Sequence, residues 1–266
     1  MAQDELPDES PEESPAESPA APPSSATLWE EHSQWWIDGF TAGADPEYDE
    51  QILPLAGDEL AGATRVLDVG CGEGQISRLA ARLDGAQLVA GVDPTWNQIA
   101  AARQRGGAMF ARAAAHELPF PDRTFDAVVA CLVFEHIDEV DTAIAEVARV
   151  LAPGGRFCFF LNHPLLQTPD SGWIDDQVVE PPEQYWRIGR YLEEAETIEE
   201  VELGVHIRFI HRPLSRYVNA LAEAGLFIER MVEPQPPPGF LALAPEYPEA
   251  ATVPRLLYLR CRRSIS

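Results

Sequence analysis

The feature that most limits what this chain can fold into is the run Asp68-Val69-Gly70-Cys71-Gly72-Glu73-Gly74. It closes a short apolar stretch, Arg65 to Val69, which reads as a strand. It precedes Ile76, Leu79, Ala80 and Leu83, spaced i, i+3, i+4, i+7 as on one face of a helix. Glycines at such a junction let the backbone turn tightly and approach a ligand, and the helix N-terminus favours polar or anionic groups. The spacing is G-x-G-x-G and not the G-x-G-x-x-G of dinucleotide enzymes. An acid, Asp93, ends the next strand, where a carboxylate can accept two hydrogen bonds from a ribose diol.

The rhythm continues. Gln87 to Val92, Met109 to Ala113 and Phe125 to Cys131 read as strands, with a helix opening at Trp96 and another over Ile144 to Leu151. Pro153-Gly154-Gly155 closes that helix ahead of a strand from Arg156 to Leu161. Strands alternating with helices imply a parallel sheet. Later come a helix (Leu214 to Ala224), a strand (Leu226 to Val232), a Pro-rich loop (Pro234 to Gly239) and a strand (Arg255 to Cys261). Joining by a loop predicts that the last strand turns antiparallel. The expected fold is a doubly wound, Rossmann-like α/β domain with seven strands, mostly parallel, spanning residues 61–266.

Three segments fall outside this rhythm. Residues 1–26 repeat Glu-Ser-Pro and read as a disordered acidic tail. Residues 27–60 hold Trp29, Trp35, Trp36, Phe40 and Tyr48 and read as a helical segment that packs from outside as a lid. Residues 162–210 form an insertion on the substrate side, with Trp173, Tyr185, Trp186 and Tyr191.

Composition narrows the partners. The formal net charge is −25, with 19 basic residues against 44 acidic ones, which disfavours a nucleic-acid partner. No apolar run reaches the roughly 18 residues of a membrane helix, and no signal segment opens the chain, so no membrane partner and a cytoplasmic location are expected. Cys71, Cys131, Cys158 and Cys261 are far apart without a C-x-x-C pair, so neither a metal nor a disulfide framework is expected.

Val66 to Gly74 resembles motif I of the class I S-adenosylmethionine-dependent methyltransferases, and Gly91-Val92-Asp93-Pro94 resembles their motif II. Ala115-His116-Glu117-Leu118-Pro119-Phe120 with Phe125-Asp126-Ala127-Val128-Val129 is similar to the adenine-side loop and fourth strand. Arg149 to Gly155 is similar to the turn before strand five. The flavour is that of the subgroup containing ubiquinone and menaquinone C-methylases, over roughly residues 60 to 162. The resemblance implies S-adenosyl-L-methionine as cofactor. Gly70, Cys71, Gly72 and Gly74 would wrap its methionine and ribose, Asp68 would act near the amino group, and Asp93 would hold the ribose hydroxyls. Pro94 and Thr95 would flank adenine, with Ala114, Ala115 and Cys131 completing the site. Where relatives often carry an Asp for the exocyclic amine, this chain has Ala114, so backbone or His116 must serve.

The sulfonium is already activated, so positioning and exclusion of water carry much of the rate, and a base is needed only if the acceptor loses a proton. His163, just after the fifth strand, and His136, after the fourth, are the candidate catalytic bases. Trp36, Trp186 and His211, the last at the start of a helix, are the candidate substrate contacts. The expected activity is methyl transfer to a small or medium-sized metabolite by a monomer or homodimer. The alternatives are a catalytically silent binding or scaffold protein on this fold, and a nicotinamide or nucleotide-sugar enzyme, which the glycine spacing disfavours. The acceptor, and whether O, N or C is methylated, are not spelled by the residues.

Overall fold

The computed structural model describes residues 23–243 and 248–265. The expected tail lies outside the described residues up to position 22. Its last residues instead enter a helix, α1 (Ser25–Glu31), because the Ser24 hydroxyl accepts the Thr27 N–H at 3.2 Å and Leu28 is buried beneath. Helix α2 (Ser33–Phe40) follows, then a π-helical turn over Tyr48–Ile52 that runs into α3 (Leu53–Leu60).

The regular part alternates as expected: β1 (Arg65–Val69), α4 (Gln75–Ala81), β2 (Leu88–Asp93), α5 (Trp96–Arg105), β3 (Met109–Arg112), β4 (Phe125–Cys131), α6 (Val140–Val150) and β5 (Leu151–Asn162). The fifth strand starts earlier than the turn at Pro153-Gly154-Gly155 suggests. Leu151 pairs with Phe125, the next pair is Ala127 with Arg156, and the residues between bulge out of register.

The insertion folds into two antiparallel hairpins, β6 (Gly172–Asp176) with β7 (Glu183–Arg187), and β8 (Ala195–Glu202) with β9 (Val205–His211). His211 therefore ends a strand and does not open the helix α7 (Leu214–Glu223). Strand β10 (Leu226–Val232), the short helix α8 (Pro238–Leu243) and β11 (Leu256–Arg263) complete the chain.

Seven strands form one sheet in the order β10-β11-β5-β4-β1-β2-β3, with β11 antiparallel to both neighbours and the remaining adjacent pairs parallel. Alternation along the strands divides the core. Leu67, Val69, Val128, Ala130, Phe157 and Phe159 pack with α6 and α7, while Val66, Ala127, Val129, Cys158 and Phe160 pack with α3 and α4. The chain reverses its winding between β1 and β4, so the crevice for a ligand opens at their carboxyl ends.

Candidate active site

The turn after β1 is built to leave room. Gly70 has φ +70°, and a Cβ there would collide with the Val133 side chain. Gly74 has φ +87°, and its Cβ would lie 2.6 Å from the Phe110 ring. Gly72 has φ +52°, and a Cβ there would come into ordinary contact with Trp36 Nε1 at 3.6 Å and the Gln98 amide oxygen at 3.7 Å, so backbone conformation and not space calls for glycine. Asp93, at the end of β2, holds this turn. Its Oδ2 accepts the Gly72 N–H at 3.0 Å, and its Oδ1 accepts the Thr95 N–H at 2.9 Å and hydroxyl at 2.6 Å.

A cavity of about 320 Å³ lies over this turn. It takes in Asp68, Gly70, Cys71 and Gly72 from the first turn, Asp93, Pro94 and Thr95 from the second, and Ala114, Ala115 and His116 from the loop after β3. Cys131 and His136 close it from the β4 side, and Trp36 from α2. Gly74 turns away beneath Phe110, so its part is to shape the turn and not to line the cavity.

Burial disfavours the charged form of the carboxyls here, so their pKa values rise. Asp68 is 2% exposed and is pushed up to about 7, against the Ser77 hydroxyl that donates to its Oδ2 at 2.6 Å. Asp93 is raised for the same reason, opposed by its hydrogen bonds from Thr95 and Gly72. Glu73 pairs with Arg78 and Arg105 through Oε2, while its buried Oε1 has no partner. Gln98 leaves its Oε1 without one as well, and both side chains line the cavity.

A second cavity, of about 230 Å³, adjoins the first, and Trp29, Trp36, Leu132 and His136 line both. Its outer wall comes from β8–β9 through Val201, Ile207 and Phe209, and from α2 through Trp35 and Phe40. The N-terminal helices are tied down on two sides. The Glu30 carboxylate accepts the main-chain N–H groups of Trp96 and Asn97 at the start of α5, and Trp35 Nε1 donates to Glu202 on β8 at 2.7 Å.

His136 sits on the wall common to both cavities. Its ring meets Trp29 edge-on with centroids 5.0 Å apart. Burial lowers its pKa to about 4, so the ring is neutral, and Nδ1 lies 2.8 Å from the Arg208 carbonyl, which makes Nδ1–H the donor.

His163, Trp186 and His211 are not brought to either cavity. His163 Nδ1 accepts the Leu165 N–H at 3.1 Å and its Nε2 lies 2.8 Å from Glu233, so both nitrogens pin the segment after β5. His211 lies 2.8 Å from the Tyr191 carbonyl through Nε2 and is 2% exposed. Trp186 packs edge-on against Trp173 in the outer hairpin, with centroids 5.5 Å apart. The expected catalytic role of His163 and substrate contacts of Trp186 and His211 thus fall outside both cavities: His163 is held through both nitrogens, while Trp186 Nε1 and His211 Nδ1 stay buried without a hydrogen-bond partner.

Several lining residues escaped the sequence reading. Trp29 and Tyr48 belonged to the aromatic cluster but had no assigned partner, and Gln98 lies one turn into α5 with no motif to mark it. Ser24, Ser25 and Ala26 were placed in the tail, although a Ser three residues before Thr27 is a helix-start signal.

A family model described as a methyltransferase domain matches residues 67–159. The chain is 36% identical over 119 residues to a ubiquinone/menaquinone biosynthesis C-methyltransferase of Desulfotalea psychrophila, covering 44% of this chain and 48% of that protein. It is 37% identical over 109 residues to a fatty-acid O-methyltransferase of Mycolicibacterium smegmatis, covering 40% of each. The chain thus spans about half or less of these curated relatives. Among solved structures, an S-adenosylmethionine-dependent methyltransferase from Mesorhizobium loti superposes with a TM-score of 0.68 at 30% identity, over 80% of this chain and 96% of that one.

Proposed function

The chain belongs to the class I S-adenosylmethionine-dependent methyltransferases, and from that premise we propose that it moves a methyl group from the cofactor in the first cavity to a small molecule in the second. The observation that carries this reading is the wall shared by the two cavities, Trp29, Trp36, Leu132 and His136, across which donor and acceptor would face each other.

The first cavity suits the cofactor on its own terms. Gly72 keeps its backbone free of a side chain on the cavity floor, and the orphaned oxygens of Glu73 and Gln98 are acceptors without donors. Asp93 keeps acceptor capacity for ribose hydroxyls beside its three bonds to Gly72 and Thr95. Asp68 and Glu73 place carboxyl groups where the amino group of the methionine part would lie. At the adenine end Ala114 offers no polar side chain, so backbone of Ala114 and Ala115, with His116, takes the amine. When bound, the cofactor supplies a sulfonium methyl, an electrophile that needs no further activation.

The protein's part is alignment and dryness. Indole and phenyl faces of Trp29, Trp36 and Phe209 exclude water and hold the acceptor near-attack. His136, neutral and with Nδ1 committed to Arg208, keeps Nε2 as a hydrogen-bond acceptor that can orient an O–H or N–H lone pair. Because its imidazolium is disfavoured, the released proton passes on to solvent. Among the described residues no helix is long and apolar enough to cross a membrane.

Calorimetry with S-adenosylhomocysteine tests the cofactor site. Isotope-labelled cofactor incubated with a metabolite extract, followed by mass spectrometry, tests the transfer. Binding without any labelled product would favour the scaffold alternative.

A further inference from the structure

Five aromatic side chains, Trp29, Trp35, Trp36, Phe40 and Phe209, face the second cavity, and each is only half-buried. Trp36 stacks on Phe40 at 4.5 Å, and Trp35 meets Phe40 edge-on at 5.0 Å, which fixes the rings without covering them. The charged groups in the same wall are unequal. Glu47 and Arg255 neutralise each other through two hydrogen bonds of 2.9 and 3.1 Å, and the guanidinium also lies over Phe240, 4.0 Å from its centroid. Asp45 has no such partner: its Oδ1 accepts only the Glu47 N–H at 3.0 Å, and among the described residues no ion pair reaches it.

We propose that the second cavity selects an acceptor bearing a cationic nitrogen on an aromatic or similarly flat apolar body, with Asp45 as the counter-ion and the rings of α1, α2 and β9 as the cage. The inference rests on the reading of the first cavity as the cofactor site. Aromatic faces carry negative charge density and attract a cation placed over them, more strongly where water is excluded. Arg255 acts on Asp45 only from beyond ion-pair distance, and Glu47 and Asp49 repel its charge, so this half-buried carboxylate has no ion pair of its own until a ligand supplies one. Burial also raises the Asp45 pKa, as a carboxylate waiting for a cation would show. An anionic acceptor meets the opposite situation: among the described lining residues Arg255 is spent on Glu47 and Phe240, and His136 is neutral. Asp45 lines the second cavity alone, away from the shared wall, so the anchoring nitrogen and the methylated atom sit at different ends of the acceptor.

The test uses the full chain and one carbon skeleton in three charge states. S-adenosylhomocysteine is titrated first by calorimetry, and its failure to bind overturns the cofactor reading. The ligand series, repeated without it, then still ranks the second cavity. Into the loaded protein go 2-phenylethylamine, 2-phenylethanol and phenylacetate at neutral pH. The expected order is amine first by at least tenfold, alcohol next, carboxylate last. Asp45→Asn should lower amine affinity at least tenfold while leaving the alcohol and S-adenosylhomocysteine within twofold. An equal or reversed order in the unmutated protein, or binding of none of the three, overturns the proposal without any variant. A preference for the amine that survives Asp45→Asn in a normally melting variant overturns the role of Asp45.

Discussion

His136, in the loop after β4, directs its Nδ1 to the main-chain oxygen of Arg208 on β9, 2.8 Å away. The Arg208 side chain in turn reaches back to Asp138 at 2.6 Å, so the hairpin and the loop hold each other from both directions. A residue of the wall between the two cavities thereby owes its tautomer to a segment outside the regular α/β pattern.

That arrangement has a pH signature. The folded pKa of His136 is depressed to about 4 from 6.5, so its contribution to stability is present above pH 6.5 and is lost as pH falls through 4. Asp68, raised to about 7, runs the other way: its contribution is present below 3.8 and lost as pH rises through 7. The two must be separated by difference. Between pH 6.5 and 4, wild type should lose on the order of 2 kcal/mol relative to His136→Gln, less than the full linkage value because the ring keeps one edge on the cavity. Denaturant titrations across this range check it, and parallel curves for the two proteins would mean that His136 is not the titrating group.

Asp93→Ala should weaken S-adenosylhomocysteine binding by about 1–3 kcal/mol, because ribose hydroxyls lose a charged acceptor and the Gly72 turn loses its tether. Calorimetry reads the affinity and a melting curve confirms the fold. Unchanged affinity would remove Asp93 from the ribose site.

The two tryptophans named from sequence should now part company. Trp36→Ala should reduce turnover by more than tenfold, since Trp36 lines both cavities, whereas Trp186→Ala should leave turnover within twofold. Steady-state rates with any acceptor that becomes labelled decide between them. Equal losses would bring the outer hairpin back into the site.

Glu30→Ala should release α1 from the start of α5, where two main-chain N–H groups would lose their acceptor, at about 0.5–2 kcal/mol. Hydrogen exchange should show residues 25–40 gaining protection with S-adenosylhomocysteine in wild type and gaining less in the variant. If the segment gains no protection in wild type, it is a fixed wall and not a lid.

How far the residues alone carry can be judged at particular positions. Gly70, Gly72 and Asp93 could be placed at one crevice because their demands are local, a left-handed φ and a strand end, whereas Ala114 comes only from the resemblance to the family. The sheet was legible because alternation and apolar runs repeat at a constant period; the antiparallel β11 is expected from the Pro-rich stretch Pro234 to Gly239, although the connection also holds the short helix α8. His163 and His136 looked alike in sequence, each just past a strand at the same edge. Only the tertiary structure set them apart, by placing Glu233 and the Leu165 amide on one and an open cavity beside the other. Trp36 and Trp186 likewise share a composition but not a position, since a hairpin's direction depends on what it packs against and not on its own residues. The sequence by itself determined the sheet and the Gly-rich turn that underlies the first cavity, because those are made of local periodicity and backbone shape over a few consecutive residues. The second cavity was decided by long-range packing of α1, α2 and β9 against the sheet, where pairings such as Trp35 with Glu202 join residues 167 positions apart and leave no local pattern to read.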